Sequence, residues 1–243
     1  MKKSALIFTV AAAILLIGCS GSKKPNSESS IAAAFSSSER NFKKLGIEDM
    51  VFVGDSNTSH LVYYKLVPRS RVWTGKEEYL SLAPDTYRRY IVADGEEMTV
   101  AEAAKREKPL CMVITLGTDG AATLDREGFR LSYSSLIESV KKASPGTKIA
   151  LQSIFPVREG IINTVFTDPA KTNAKFREVN TWLSELAEEY GALFIDSSDV
   201  LCDENGELRE EYNSDHLDGY HLNRAGLSAM LGNVLRTVNG ETQ

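Results

Sequence analysis

Along the chain, apolar residues gather in short unbroken runs separated by longer stretches in which they recur every three or four positions. Four runs, at residues 50–53, 110–116, 148–154 and 192–195, lack the polar alternation of a half-exposed strand. Continuous apolarity over such lengths predicts parallel strands covered on both faces. Residues 70–73 form a further candidate strand, short and carrying charge. Between the runs lie helical patterns. One opens at Thr99, where Glu102 three residues on completes a capping box, and others cover 129–143 and 173–190. A last helix is predicted over 223–238. Strand and helix alternate, so the expected fold class is α/β, a three-layer α/β/α sandwich around a parallel sheet of about five strands.

The N-terminus departs from this pattern. Met1-Lys2-Lys3 is followed by an apolar run from Ala5 to Leu16, too short to cross a bilayer as a stable helix. Leu16-Ile17-Gly18-Cys19 then sets a cysteine after a small residue and resembles a bacterial lipobox, with an ordinary signal peptide as the alternative. The expected organisation is a lipoprotein signal peptide over 1–18, a lipidated Cys19 and Ser/Lys/Asn-rich tether over 19–38, and one domain over 39–243. The protein is then expected at the exported face of a membrane, held by its lipid. Loss of Lys2 and Lys3 with the leader takes the formal charge from -5 to -7, leaving no cationic surplus to attract phosphates. Nucleic-acid binding is disfavoured on that ground. Two further cysteines, Cys111 and Cys202, could pair, although an exported domain of this size does not need a staple.

In open parallel sheets, ligands bind beyond the carboxyl ends of the strands, which directs attention to the residues just after each apolar run. After the first comes Gly54-Asp55-Ser56-Asn57, with a hydroxyl at a sharp strand-to-helix turn. A helix starting at Ser56 would turn free N–H groups and its positive dipole end toward an anion forming there. That environment suits a nucleophile and part of an oxyanion hole, although a capping serine in a common turn explains the triplet equally well on its own. Near the other end stands Asp218-Gly219-Tyr220-His221. Asp and His three apart in a tight turn can face one side, the carboxylate holding one imidazole nitrogen while the other takes a proton. An incidental surface histidine is the bland alternative, and His221 is one of only three histidines in the chain.

Gly54-Asp55-Ser56 early, Asp218-Gly219-Tyr220-His221 late and a glycine block after the central strand, in that order across the domain, resemble the SGNH/GDSL hydrolase superfamily. The resemblance implies a flavodoxin-like fold and a serine esterase in which Ser56 attacks the ester carbonyl, His221 is base and then acid, and Asp218 orients it. It implies an oxyanion hole from Ser56 and Gly75, and no cofactor or metal. At Gly117-Thr118-Asp119 the chain departs from the family, which places an asparagine donor where Asp119 stands. An ionised carboxylate accepts hydrogen bonds and repels a developing oxyanion, so Asp119 could donate only if burial kept it protonated. Losing one such donor costs about a hundredfold to a thousandfold in turnover. Three uses follow: hydrolysis of acyl, chiefly acetyl, esters of carbohydrates or small molecules; acyl transfer onto a polysaccharide hydroxyl; or surface binding on a degenerate scaffold. The expected partner is an ester substrate such as an acetylated polysaccharide. The fourth letter of the GDSL label is missing as well, Asn57 standing in its place, a change of little expected consequence.

Other residues bear on the site. His60, four residues after Ser56, could share its helix face as an alternative base. His216, next to Asp215, is a candidate for the site mouth and substrate contact, with a solvated loop as the equal alternative. Asp203-Glu204-Asn205-Gly206-Glu207 superficially suggests a calcium loop, with ligand spacing that fits a polar turn better, and no clustered His and Cys spacing supports zinc. Two long segments, 79–95 with Tyr87, Arg88, Arg89 and Tyr90, and 155–169, are placed to shape the substrate or, for the first, to form a solvated hairpin.

Overall fold

In a computed structural model of the protein, the described residues are 44–74, 82, 89, 91–93, 96–160, 166–214 and 218–241. The expected signal peptide, Cys19 and tether lie outside them. The strands are β1 (Met50–Gly54), β2 (Val72–Trp73), β3 (Ile91–Ala93), β4 (Glu96–Met98), β5 (Cys111–Thr115), β6 (Lys148–Gln152) and β7 (Leu193–Ile195). Five of them form one parallel sheet in the order β2-β1-β5-β6-β7, and β3 and β4 pair antiparallel in a separate hairpin. The helices are α1 (Ser56–Tyr63), α2 (Val100–Glu107), α3 (Thr118–Thr123), α4 (Arg126–Ala143), α5 (Pro169–Tyr190), α6 (Ser198–Leu201) and α7 (Arg224–Val238).

The continuous apolar runs have the meaning inferred from sequence, because β1 and β5 are buried at every position. Successive side chains alternate between two cores. Val51, Val53, Met112, Ile114 and Leu151 point toward α2, α4 and α5, where Ala103, Tyr133, Ile137, Val179 and Leu183 meet them. Met50, Phe52, Cys111, Val113 and Ala150 point the other way, toward Leu61 of α1 and Leu227, Met230 and Val234 of α7. The molecule is therefore the expected three-layer α/β/α sandwich. From β1 the chain passes to β2 on one side and then to β5 on the other, so the topological switch falls between β1 and β5, where such sheets place ligands.

Local chemistry sets the element ends. Thr99 accepts a hydrogen bond from Glu102 N–H at 3.1 Å, and the Glu102 carboxylate accepts from Thr99 N–H at 2.8 Å, which is the capping box read from the sequence. Helix α5 starts four residues before the predicted boundary, with Asp168 as cap and Pro169 in its first turn. Helix α4 starts three residues early, behind the cap of Asp125. The candidate strand at 70–73 is corrected to the two residues Val72–Trp73, because Arg69–Arg71 form a 3-10 turn. Residues 91–98 form a hairpin; of the expected Tyr87 to Tyr90 turn only Arg89 is described, exposed and paired with Glu102 at 2.7 Å, and residues 87, 88 and 90 lie outside the described set. Cys111 and Cys202 are both free thiols.

Candidate active site

The site is built from two turns at the carboxyl edge of the sheet. At the first, β1 ends in Gly54 and α1 begins at Ser56, capped by Asp55, whose carboxylate accepts from Asn57 N–H at 3.1 Å. Gly54 is needed for close approach, not for an unusual backbone angle. A β-carbon there would collide with the hydroxyls of Thr58 and Thr115, which are hydrogen-bonded to each other. Ser56 is the first helical residue, so its N–H has no acceptor within the helix.

At the second turn, Asp218 and His221 face inward from the segment that leads into α7. His221 Nε2 lies 2.8 Å from Ser56 Oγ, and His221 Nδ1 lies 2.6 Å from Asp218 Oδ2. Three residues separated by as many as 165 positions thus form one hydrogen-bonded chain, the imidazole placed to accept from the hydroxyl and donate to the carboxylate. Asp218 is buried, which alone would raise its pKa. Hydrogen bonds from the His221 side chain and from the backbone N–H groups of His221 and Tyr220 outweigh that and bring it down to about 2. The carboxylate is therefore ionised wherever the imidazole can act as a base.

Asp55 behaves in the opposite sense. Burial pushes its carboxyl up to about 6, against the hydrogen bond from Asn57 and with help from the nearby charge of Asp119. Thr118 Oγ1 donates to it at 3.3 Å, tying the turn after β5 to the turn after β1. Tyr133, buried on α4, donates to the carbonyl of Leu116 and so fixes the start of the same turn. Asp119 follows as the second residue of α3, exposed at the rim. The burial that a hydrogen-bond-donating Asp119 would require is not there.

Asp55, Ser56, Thr118, Asp119 and His221 line a cavity of about 340 Å3, together with Asn57, Phe166 and Tyr220. Tyr220 packs on the His221 ring at 4.1 Å between centroids, and Phe166 meets Tyr220 edge-on at 5.4 Å. Phe166 comes from the 155–169 segment, of which residues 161–165 lie outside the described set. His60 does not replace the base; its ring stands 4.9 Å from that of His221, while Ser56 is bonded to His221. Gly75, His216 and most of 79–95 lie outside the described residues. The Asp203 turn is closed by its own chain, Asp203 Oδ1 accepting from the N–H groups of Asn205 and Glu207 at 2.9 and 3.0 Å. A second cavity, of about 350 Å3, borders α5 and includes Cys202 but no histidine, and burial raises the Cys202 thiol pKa, which opposes thiolate chemistry there.

Asn57 was passed over in the sequence. Its amide donates to the Tyr220 carbonyl at 3.2 Å and accepts from Leu222 N–H at 2.9 Å. Nothing local could have signalled this, because both partners are backbone groups more than 160 residues away.

The parallel sandwich thus carries a hydrogen-bonded Ser-His-Asp chain at its switch point, with the serine just after the first strand. The chain belongs to the GDSL-like lipase/acylhydrolase family, whose profile matches residues 52–229. Solved structures share the fold. One from Streptococcus pneumoniae, provisionally named a platelet activating factor, is 22% identical with a TM-score of 0.54, over 78% of this chain and 83% of that one. A GDSL-like lipase from Bacteroides thetaiotaomicron is 16% identical with a TM-score of 0.52, over 86% and 98%. A family two carbohydrate esterase from Clostridium thermocellum is 15% identical with a TM-score of 0.52, over 79% and 63%. No curated protein matches the chain by sequence.

Proposed function

We propose that this protein is a serine esterase that removes short acyl groups, acetyl above all, from carbohydrate or small-molecule esters, and that it works at the exported face of a membrane from a lipid on Cys19. The observation that carries the esterase reading is the unbroken chain Ser56 Oγ, His221 Nε2, His221 Nδ1, Asp218 Oδ2 at 2.8 and 2.6 Å. In the first half-reaction His221 takes the Ser56 proton as Oγ adds to the ester carbonyl. The imidazolium then gives that proton to the departing alcohol, and the acyl group stays on Ser56. In the second half, water adds with His221 again as base, the Ser56–acyl bond breaks, and the acid leaves. Asp218 keeps Nδ1 protonated and steadies the imidazolium throughout.

The oxyanion would be held by the Ser56 N–H at the start of α1. The family resemblance adds the Gly75 N–H, and Asp119 stands where the third donor belongs. A slow enzyme is the consequence. Among the described residues the cavity offers two rings, Phe166 and Tyr220, with two carboxylates, Asp55 and Asp119, beside them. The same two rings suit the face of a sugar, and a neighbour of like fold is named a carbohydrate esterase.

The test is labelling with a fluorophosphonate probe beside hydrolysis of a simple acetyl ester. The parent protein is expected to label and to release acetate, and Ser56→Ala to do neither. Full hydrolysis by the alanine variant would overturn the assignment. Running the reaction with an acceptor sugar separates the two fates of the acyl group, since transfer would leave an acetylated sugar in place of free acetate.

A further inference from the structure

Among the described residues, the hydrogen bonds that join residues 55–59 to residues 218–222 are the Ser56–His221 bond itself and the two made by Asn57. The Asn57 bonds fall on the residues either side of the base, Tyr220 before it and Leu222 after it. Other contacts of the turn come from the chain around it: Asp218 holds the N–H of His221, Ser214 N–H donates to the His221 carbonyl at 2.8 Å, Arg158 N–H donates to the Gly219 carbonyl at 2.8 Å, and the His60 ring of α1 packs 4.9 Å from that of His221. None of these hydrogen bonds ends on α1 or its cap, where the nucleophile sits. Asn57 itself is buried, 7% exposed, and its N–H is fixed by the cap of Asp55.

We infer that Asn57 is a positioning residue for the reaction, a side-chain clip that sets the distance between His221 Nε2 and Ser56 Oγ. An amide is suited to this because its donor and acceptor lie on one planar fork and match a carbonyl and an N–H two residues apart. Leucine, the residue of the GDSL label, offers neither group. Aspartate offers only the acceptor for Leu222 N–H. General-base catalysis needs the base within hydrogen-bonding reach of the hydroxyl, and a displacement of about 1 Å can cost about a hundredfold. The consequence belongs chiefly to turnover, because Asn57 is buried at the cavity wall and both polar ends of its side chain are taken up by backbone.

This inference rests on the esterase reading, so the experiment separates the two. Parent, Ser56→Ala, Asn57→Leu and Asn57→Asp are compared for kcat per titratable active site and for KM on an acetyl ester. In parallel the His221 ring resonances, assigned by their loss in His221→Gln, are followed by NMR. Asn57→Leu is expected to lose about 10- to 100-fold in kcat per site with KM within about threefold, and its His221 signals to broaden or split. Asn57→Asp, which keeps the Leu222 bond, is expected to fall between it and the parent. A purely structural role would lower the number of titratable sites and leave turnover per site unchanged, and that result, or sharp parent-like His221 resonances in Asn57→Leu, would overturn the inference. If Ser56→Ala still turned over fully, the esterase reading would fall, and the ring resonances would still decide whether Asn57 orders His221.

Discussion

Two carboxylates beside the nucleophile, Asp55 and Asp119, differ in what surrounds them, and that difference gives each its own test. Asp119 is exposed at the rim, at the position where the family resemblance calls for a donor to the oxyanion. Asp119→Asn is therefore expected to raise kcat near neutral pH by about tenfold or more, part of the span that one oxyanion donor contributes, measured on an acetyl ester. A sharp loss would give the carboxylate a positive part in the reaction. Asp55 holds its proton up to about 6 in the folded protein, against an ordinary 3.8. Between those values the folded chain binds more protons than the unfolded one, so stability falls as pH rises from about 4 to about 6 and stays lower above it. Asp218, with its pKa lowered to about 2, works in the other direction: its contribution is complete above 3.8 and is lost only as pH falls toward about 2, outside that window. Asn can cap a helix as Asp does. Asp55→Asn should gain about 2–3 kcal/mol on the parent between pH 4 and pH 7 in urea unfolding, and parallel pH curves for the two proteins would refute the assignment.

The turn that carries the base depends on its neighbour after β6. Gly219 has φ +83°, and a β-carbon there would run into the carbonyl oxygen of Arg158, while Arg158 N–H donates to the Gly219 carbonyl at 2.8 Å. Gly219→Ala must both adopt a left-handed backbone and push that segment away. It is expected to lose about 2–4 kcal/mol in chemical denaturation and most of its activity. Gly146→Ala, in a turn where nothing lies within 4 Å of the new methyl, should stay within about 0.5 kcal/mol and serves as the control. Equal costs at the two sites would remove the argument. The same elements show what a sequence can carry. Strands β1 and β5 were legible because burial on both faces writes an unbroken apolar run, and α2 because Thr99 and Glu102 write its first turn. Hairpin β3–β4 was missed because half of it is Glu96-Glu97-Met98, and α3 because Gly120 and two threonines give a six-residue helix no periodicity. Ser56, Asp218 and His221 were legible as types at turns. Asn57 was not, because its work is done on the backbone of a distant loop.

At the scale of the whole molecule, chemistry and placement are divided along the chain. Lys44–Gln243 forms one compact unit, and every residue assigned to the reaction except Gly75 is described within it. The proposed lipid on Cys19 lies outside that unit, and the 24 residues from Ser20 to Lys43 reach at most about 80 Å when fully extended. The anchor should then govern where the enzyme acts and not how fast. Two outcomes follow from this division. Cys19→Ser should shift the exported protein from the membrane fraction to the released fraction, read by immunoblot, because a positively charged start and an apolar run do not hold a processed chain. The purified protein from Ser20 onward should hydrolyse a dissolved acetyl ester within about twofold of the lipidated form in detergent, since no group of the Ser56–His221–Asp218 chain lies near the tether in sequence. A loss of turnover without the lipid would tie catalysis to the anchor. Retention of Cys19→Ser on the membrane would mean that another part of the chain holds it there.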